Sequence, residues 1–361
     1  MVGMPVFNGQ DFVAETLNSI KNQTFLNYEV LISIDGNGQR SLEACKPFTS
    51  DSRFRIITQI ERLGWAGNLN WLMAQCEADF FCYWQQDDLT DPNYLEALHA
   101  NSQNNLAAVC SYSDLEWFGA RQEKEECESI RGAPVERAIA AMNGAVWVPF
   151  RGLIRRAALQ KIGPLRTGHE MSSLEDLVWM VKLAREGELQ RVEGTRYYKR
   201  AHDKAVHLNW HSWPQTEQRA AWIQHGLGLL EAILPVAPSR DQMRILETVL
   251  DRLISSKYWR LYESADQDFA ADMLEAASTS EAVSPLLSDL RDLLGQSSLS
   301  PALHDFPYCE SGLRLIHERR EVAGIDASED TRGTRRSSKV RFTTLSAWAA
   351  QFIAALRRKK K

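Results

Sequence analysis

Residues 79–88 read DFFCYWQQDD. An unbroken apolar run, Phe80 to Trp84, leads straight into Gln85-Gln86-Asp87-Asp88. So short and aromatic a run, bounded by polar residues, is a buried strand. Asp91-Pro92 then starts a helix over Tyr94–Asn101. Two adjacent carboxylates at the end of such a strand are costly unless compensated. A hard divalent cation, Mg²⁺ or Mn²⁺, would compensate both and suits carboxylate and diphosphate oxygens as ligands. One acid of the pair as a helix cap is the simpler explanation. Asp91 sits better for that task, so capping does not account for the pair.

On either side the chain alternates strands and amphipathic segments. Val2–Val6 is a strand, and Met1–Met4 reads as its tail, which leads us to expect a few residues upstream. Phe12–Asn22 carries Phe12, Val13, Thr16, Leu17 and Ile20 at helical spacing. Tyr28–Ile34 is a strand ending in Asp35-Gly36, Phe54–Gln59 is another, and Asn68–Cys76 is helical. Ala107–Ser113 is a further strand, and 116–148 is less regular, with a charged run Arg121–Glu128 read as a solvated face. Phe150–Ile162 passes from strand to helix, Leu174–Arg185 is an amphipathic helix, and Tyr197–His207 is a last strand with a polar loop. This rhythm predicts an α/β domain with a mostly parallel sheet.

Ligands bind beyond the carboxyl ends of such strands. Asn8, Asp35 and the Gln85–Asp88 run fall there. Met4-Pro5-Val6-Phe7-Asn8-Gly9 is a rigid turn whose aromatic ring can line a nucleobase, although it also suits an ordinary turn. Asp35 can accept from a base N–H or serve its own loop. Glu175-Asp176 opens a helix, where the dipole favours acids in any case.

Length and composition bound the rest. A chain of 361 residues suggests two domains, and 44% hydrophobic residues suffice for a sizeable core. A net charge of −5 gives no reason to expect nucleic acid. Six cysteines without CxxC spacing exclude a zinc knuckle and a thioredoxin-type pair, and fit a reducing, cytoplasmic setting. No signal peptide is evident, and no stretch approaches the ~20 apolar residues of a membrane span. The expected layout is a catalytic domain over 1–211, a helical domain over 212–325, and a linker with a basic tail over 326–361. In the tail, Leu345, Trp348, Ala349, Phe352, Ile353 and Leu356 form one helical stripe, followed by Arg357 to Lys361. That suits an anionic surface on the inner face of the cell membrane, or a helix docked on the protein itself. HLNWHSW, residues 207–213, reads as an aromatic acceptor platform or a packed domain junction.

In order along the chain stand MPVFNG, EVLISIDG, RLGWAGNLNWLMAQ, YWQQDD, RGLIRRAALQKIGPL, LEDLVWMVKLAREG and YYKRAH. Over about residues 1–208 this series resembles the bacterial-type family 2 glycosyltransferases, which have the GT-A fold. The resemblance implies that Pro5, Phe7, Asn8 and Asp35 surround the base of a nucleotide-diphosphate sugar. It implies that Gly64, Asn68, Asn70, Gln85 and Gln86 lie along the nucleotide and that Lys204 reaches the diphosphate. Asp87, with Asp88 beside it and His202 as a late contact, would hold the metal. Asp176 would be the catalytic base, and Glu175 would hold the acceptor or orient the base. The family usually carries an acid where this chain has Gln85, which can bond a ribose hydroxyl but brings no charge.

The implied reaction is an inverting transfer of a hexosyl type to a hydroxyl of a cell-surface glycan or its lipid-linked precursor. A nucleotidyltransferase would show an early Gly-rich basic loop, which residues 8–20 lack. A non-catalytic sugar- or nucleotide-binding protein finds support only in Gln85. A NAD enzyme is excluded by the absence of G-x-G-x-x-G after the first strand.

Overall fold

The computed structural model describes residues 1–144, 146–167, 174–202, 214–238, 241–255 and 266–285. Lys204, the HLNWHSW segment, the part of the expected helical domain beyond 285, and the linker and tail lie outside these residues.

One half of the sheet follows the apolar runs closely. β1 (Val2–Val6), α1 (Val13–Lys21), β2 (Val30–Ile34), α2 (Gln39–Cys45), β3 (Phe54–Thr58), α3 (Gly64–Ala74) and β4 (Phe80–Tyr83) alternate along the chain. Their strands lie parallel in the order β3-β2-β1-β4. Every residue of β2 and β4 is buried, as expected of strands covered on both faces. α1 buries Val13, Thr16, Leu17 and Ile20, the stripe its spacing predicts.

The second half departs from the parallel expectation. It comprises β5 (Leu89–Thr90), α4 (Tyr94–Asn104), β6 (Ala108–Gly119), β7 (Glu123–Glu125), α5 (Pro134–Asn143), β8 (Leu153–Arg155), α6 (Arg156–Ile162), α7 (Glu175–Glu186) and β9 (Glu188–Ala201). β8 runs antiparallel between β4 and β6, β5 is antiparallel to β9, and β7 folds back on β6 as a hairpin. The sheet is therefore mixed, because strand direction follows from which neighbours meet and leaves no trace in local periodicity.

β6 and β9 pair in parallel from Ala108 to Gly119, so both are longer than the apolar pattern suggests. Their added length mixes polar and apolar residues and is held in part by cross-strand pairs, such as Arg191 on Asp114 at 2.7 and 2.8 Å. This long pair carries Tyr197, Lys199 and Arg200 past the carboxyl end of β4. α8 (Gln215–Ile233), α9 (Gln242–Ser255) and α10 (Asp266–Thr279) follow, and Met1–Ser284 forms one compact unit in which α8 packs on α7. No described helix is long and apolar enough to cross a membrane.

Candidate active site

The site is built where β1, β2 and β4 end. After β2, the carboxylate of Asp35 accepts from the amides of Leu63 (2.6 Å) and Gly64 (3.0 Å). It thereby caps the N-terminus of α3 from another strand, and α3 starts four residues before the helix its own pattern predicts. Asn68 is buried, with its amide donating to the Ser33 carbonyl at 3.0 Å, so it joins α3 to β2. Asn70 exchanges two 2.8 Å bonds with the backbone of Leu165. After β1, Phe7 is 42% exposed, with the Arg62 guanidinium 4.2 Å above its ring, and Asn8 takes a left-handed conformation at φ 52°. Pro5 is half-buried in β1.

Gln86 clasps the backbone of Phe7 from both sides, accepting from its N–H at 2.9 Å and donating to its carbonyl at 3.0 Å. A Cβ on Gly9 would stand 2.3 Å from the Gln86 side-chain oxygen, so glycine there lets the clasp close. Gln86 thus locks the β1 turn to the end of β4.

The adjacent acids differ in their surroundings. Asp88 is buried, and its oxygens accept from Tyr197 Oη (3.0 Å) and the Arg200 amide (2.9 Å), with Arg151 Nε at 3.5 Å. Burial, and then the neighbouring Asp87 charge, raise its pKa. Asp88 is an anchor tying β4 to β9 and to the turn at Arg151. Asp87 is partly exposed, and its Oδ2 lies 2.8 Å from Nε2 of His202. An oxygen and an imidazole nitrogen side by side are a donor pair that Mn²⁺ or Mg²⁺ accepts, with phosphate oxygens as further ligands. Among the described residues no group of three or more His, Cys, Asp or Glu gathers for a metal. Asp91, expected to cap α4, instead accepts from Tyr198 Oη at 2.9 Å, and α4 has no side-chain cap.

Across from this edge, Asp176 lies in the first turn of α7 and accepts from the Leu177 amide at 2.7 Å. Burial pushes its pKa up to about 6, against the Leu177 N–H and the charges of Arg151 and Lys199. Arg151 and Lys199 also act on Asp88, so both acids face one cleft. Glu175 turns elsewhere, in a two-toothed pair with Arg166 at 2.8 and 2.9 Å. Arg166 also donates to the Gln224 carbonyl of α8 at 3.1 Å, so this pair joins α7 to the following helices.

The family described as Glycosyl transferase family 2 matches residues 1–163. Residues 1–163 are therefore similar to glycosyltransferase family 2. The putative glycosyltransferase EpsH of Bacillus subtilis is 25% identical over 201 residues, 55% of this chain and 54% of that protein. The Escherichia coli UDP-Glc:alpha-D-GlcNAc-diphosphoundecaprenol beta-1,3-glucosyltransferase WfgD is 28% identical over 93 residues, 26% of this chain and 36% of that one. The chain thus spans about half or less of the length of these relatives. The crystal structure of Staphylococcus aureus TarS 1–349 in complex with UDP-GlcNAc superposes with a TM-score of 0.60. That match has 16% identity and covers 79% of this chain and 82% of that one. The fold is GT-A.

Among the described residues, the site brings together Asp87, His202, Asp88 and Asp176, with Gln85 at their edge. Glu175, Asn68, Asn70 and Gln86 are engaged in holding elements together. Sequence reading missed Arg151, Tyr197, Lys199 and Arg200. Arg151 donates to Gln85 Oε1 at 2.6 Å, and Arg200 Nε donates to the Asp87 carbonyl at 3.0 Å. Both arginines sit in motifs that the resemblance picked out, RGLIRR and YYKRAH; the nearness of Arg200 to His202 was an available signal, whereas Arg151 stands far along the chain from every expected site residue.

Proposed function

We propose that this protein transfers a sugar from a nucleotide-diphosphate donor to a hydroxyl of a glycan or lipid-linked acceptor, with inversion. The observation that carries this reading is Asp176, a carboxyl raised to about 6 that shares its cations with the acids at the end of β4. A raised carboxyl is a base with a useful proton affinity near neutral pH, and it faces the edge where the donor diphosphate is expected. The named donor of WfgD, UDP-Glc, and its lipid-diphosphate acceptor support the choice of substrate classes.

Asp87 and His202 would hold Mg²⁺ or Mn²⁺, which when bound offsets negative charge on the leaving diphosphate. Asp88 keeps both partners in place through Tyr197 and the Arg200 amide. Pro5, Phe7 and Asn8 form the wall for the base, with Asp35 behind it fixing the start of α3. Asp176 takes the acceptor hydroxyl proton, and the oxygen attacks the anomeric carbon from the side opposite the diphosphate. The 1–211 catalytic and 212–325 helical division stays our working layout, with the basic tail reserved for an anionic membrane surface.

Asp176→Asn is expected to lower transfer by 10³-fold or more while nucleotide affinity stays within about twofold. Full turnover by this variant removes the base assignment. Metal-dependent thermal stabilisation by UDP-, GDP- and dTDP-sugars names the donor, and no stabilisation by any of them overturns the reading.

A further inference from the structure

Among the described residues three cations line the cleft, and two of them are occupied. Arg151 donates to Gln85 Oε1 and to the Trp147 carbonyl and reaches Asp88. Arg200 donates to the Asp87 carbonyl and to Glu15, with its guanidinium over Phe12 and Phe118. Lys199 makes no hydrogen bond or ion pair among the described residues. Its one defined neighbour is the Trp117 ring, with Nζ 4.8 Å from the centroid.

The placement of Lys199 is well determined. Lys199 and Trp117 are register partners on the parallel pair β6 and β9. The Trp117 indole N–H is held by Glu125 at 2.6 Å, and the same carboxylate holds Trp147 at 2.6 Å. Alternation along β9 puts Lys199 on the same side as Tyr197, which bonds Asp88. The ammonium therefore faces Asp87, Asp88 and Asp176, and its pKa falls to about 8 through burial and then Arg151.

A half-buried ammonium without an acceptor among the described residues is costly. Such a group is retained where a ligand supplies the acceptor. The ligand here must be anionic and must lie between the Asp87–His202 edge and Asp176. Gln85 contributes in the same direction. A carboxylate at that position would add a negative charge to the mouth and compete for the surrounding cations.

We propose that Lys199 is a catalytic residue, whose ammonium contacts a non-bridging oxygen of the donor diphosphate and stabilises its developing charge. This rests on the transferase reading. The acceptor oxygen forms a bond to the anomeric carbon, and the bond from that carbon to the diphosphate oxygen breaks. The electron pair leaves with the diphosphate, the acceptor proton goes to Asp176, and Lys199 stays protonated throughout.

Calorimetric titration with UDP and UMP, and with GDP and GMP, in Mn²⁺ buffer tests this on the full chain, beside steady-state turnover of the matching sugar nucleotides. Lys199→Met is expected to lower kcat by about 10²-fold and to cut the diphosphate-over-monophosphate preference about tenfold. Lys199→Arg is expected to keep most of both. The preference is a ratio within one variant, so a partly unfolded sample lowers both affinities and leaves the ratio intact. If wild type turns over a sugar nucleotide while Lys199→Met keeps its kcat and preference within threefold, the Lys199 assignment is overturned and the transferase reading stands. If wild type neither binds these diphosphates nor turns over their sugars, both are overturned.

Discussion

A carboxyl raised to about 6 is half ionised near that pH, and in the proposed role of base Asp176 would act only when ionised. We therefore expect kcat/KM to rise about tenfold per pH unit up to about pH 6 and then level off. Stability moves the opposite way. The folded pKa lies above the ordinary 3.8, so this group's contribution is full below 3.8 and is lost as pH rises through about 6. Asp176→Asn should then melt higher than wild type at pH 7.5, by about 1–2 kcal/mol in calorimetry. Asp88 presents the reverse case. Asp88→Ala leaves Arg151, Tyr197 Oη and the Arg200 amide around a vacated acceptor, at a cost of about 3 kcal/mol or more in urea unfolding. Asp88→Asn keeps an acceptor oxygen and should lose less. The two adjacent acids were legible as a pair with a task, yet which one anchors and which one faces the cleft was not. That division depends on β9 arriving 109 residues later in the chain with Tyr197.

Helix α3 shows the same limit among elements. Its apolar pattern begins at Asn68, but the helix begins at Gly64 because Asp35 supplies the missing acceptors for Leu63 and Gly64. Asp35→Ala should cost about 1–2 kcal/mol, and it should lower amide-exchange protection in the first turn of α3 before any other helix. Unchanged protection there would show that the cap is dispensable. Strands β1 to β4 were readable within two residues, since burial on both faces writes a dense apolar code. β6 and β9 were read short, because their outer halves are held by ion pairs and by each other. α2, α5 and β7 carried no signal that was recognised. Glu125, inside a charged run read as solvated, holds two indole N–H groups.

Across the compact unit Met1–Ser284, α8 is joined to the catalytic half through α7 and Arg166. Its His225 is buried and stacked on Trp222, and among the described residues neither ring nitrogen has a hydrogen-bond partner. Burial, followed by Arg252 and Arg166, lowers its pKa to about 3. The unfolded chain therefore binds this proton more readily. Stability is full above about pH 6.5 and lost as pH falls toward 3. His225→Phe should move the acid-unfolding midpoint to lower pH, and an unmoved midpoint would exclude this histidine as the cause. Apolar runs and the order of seven motifs were enough to reach the α/β class and the likeness to family 2 glycosyltransferases, because burial and chemistry are both written in residue types. The mixed sheet, the anchoring of Asp88, the cap given by Asp35 and the placement of the Lys199 ammonium were decided only by tertiary structure. Each depends on groups far apart in the chain meeting at one strand end, and no local pattern records which donor will reach which acceptor.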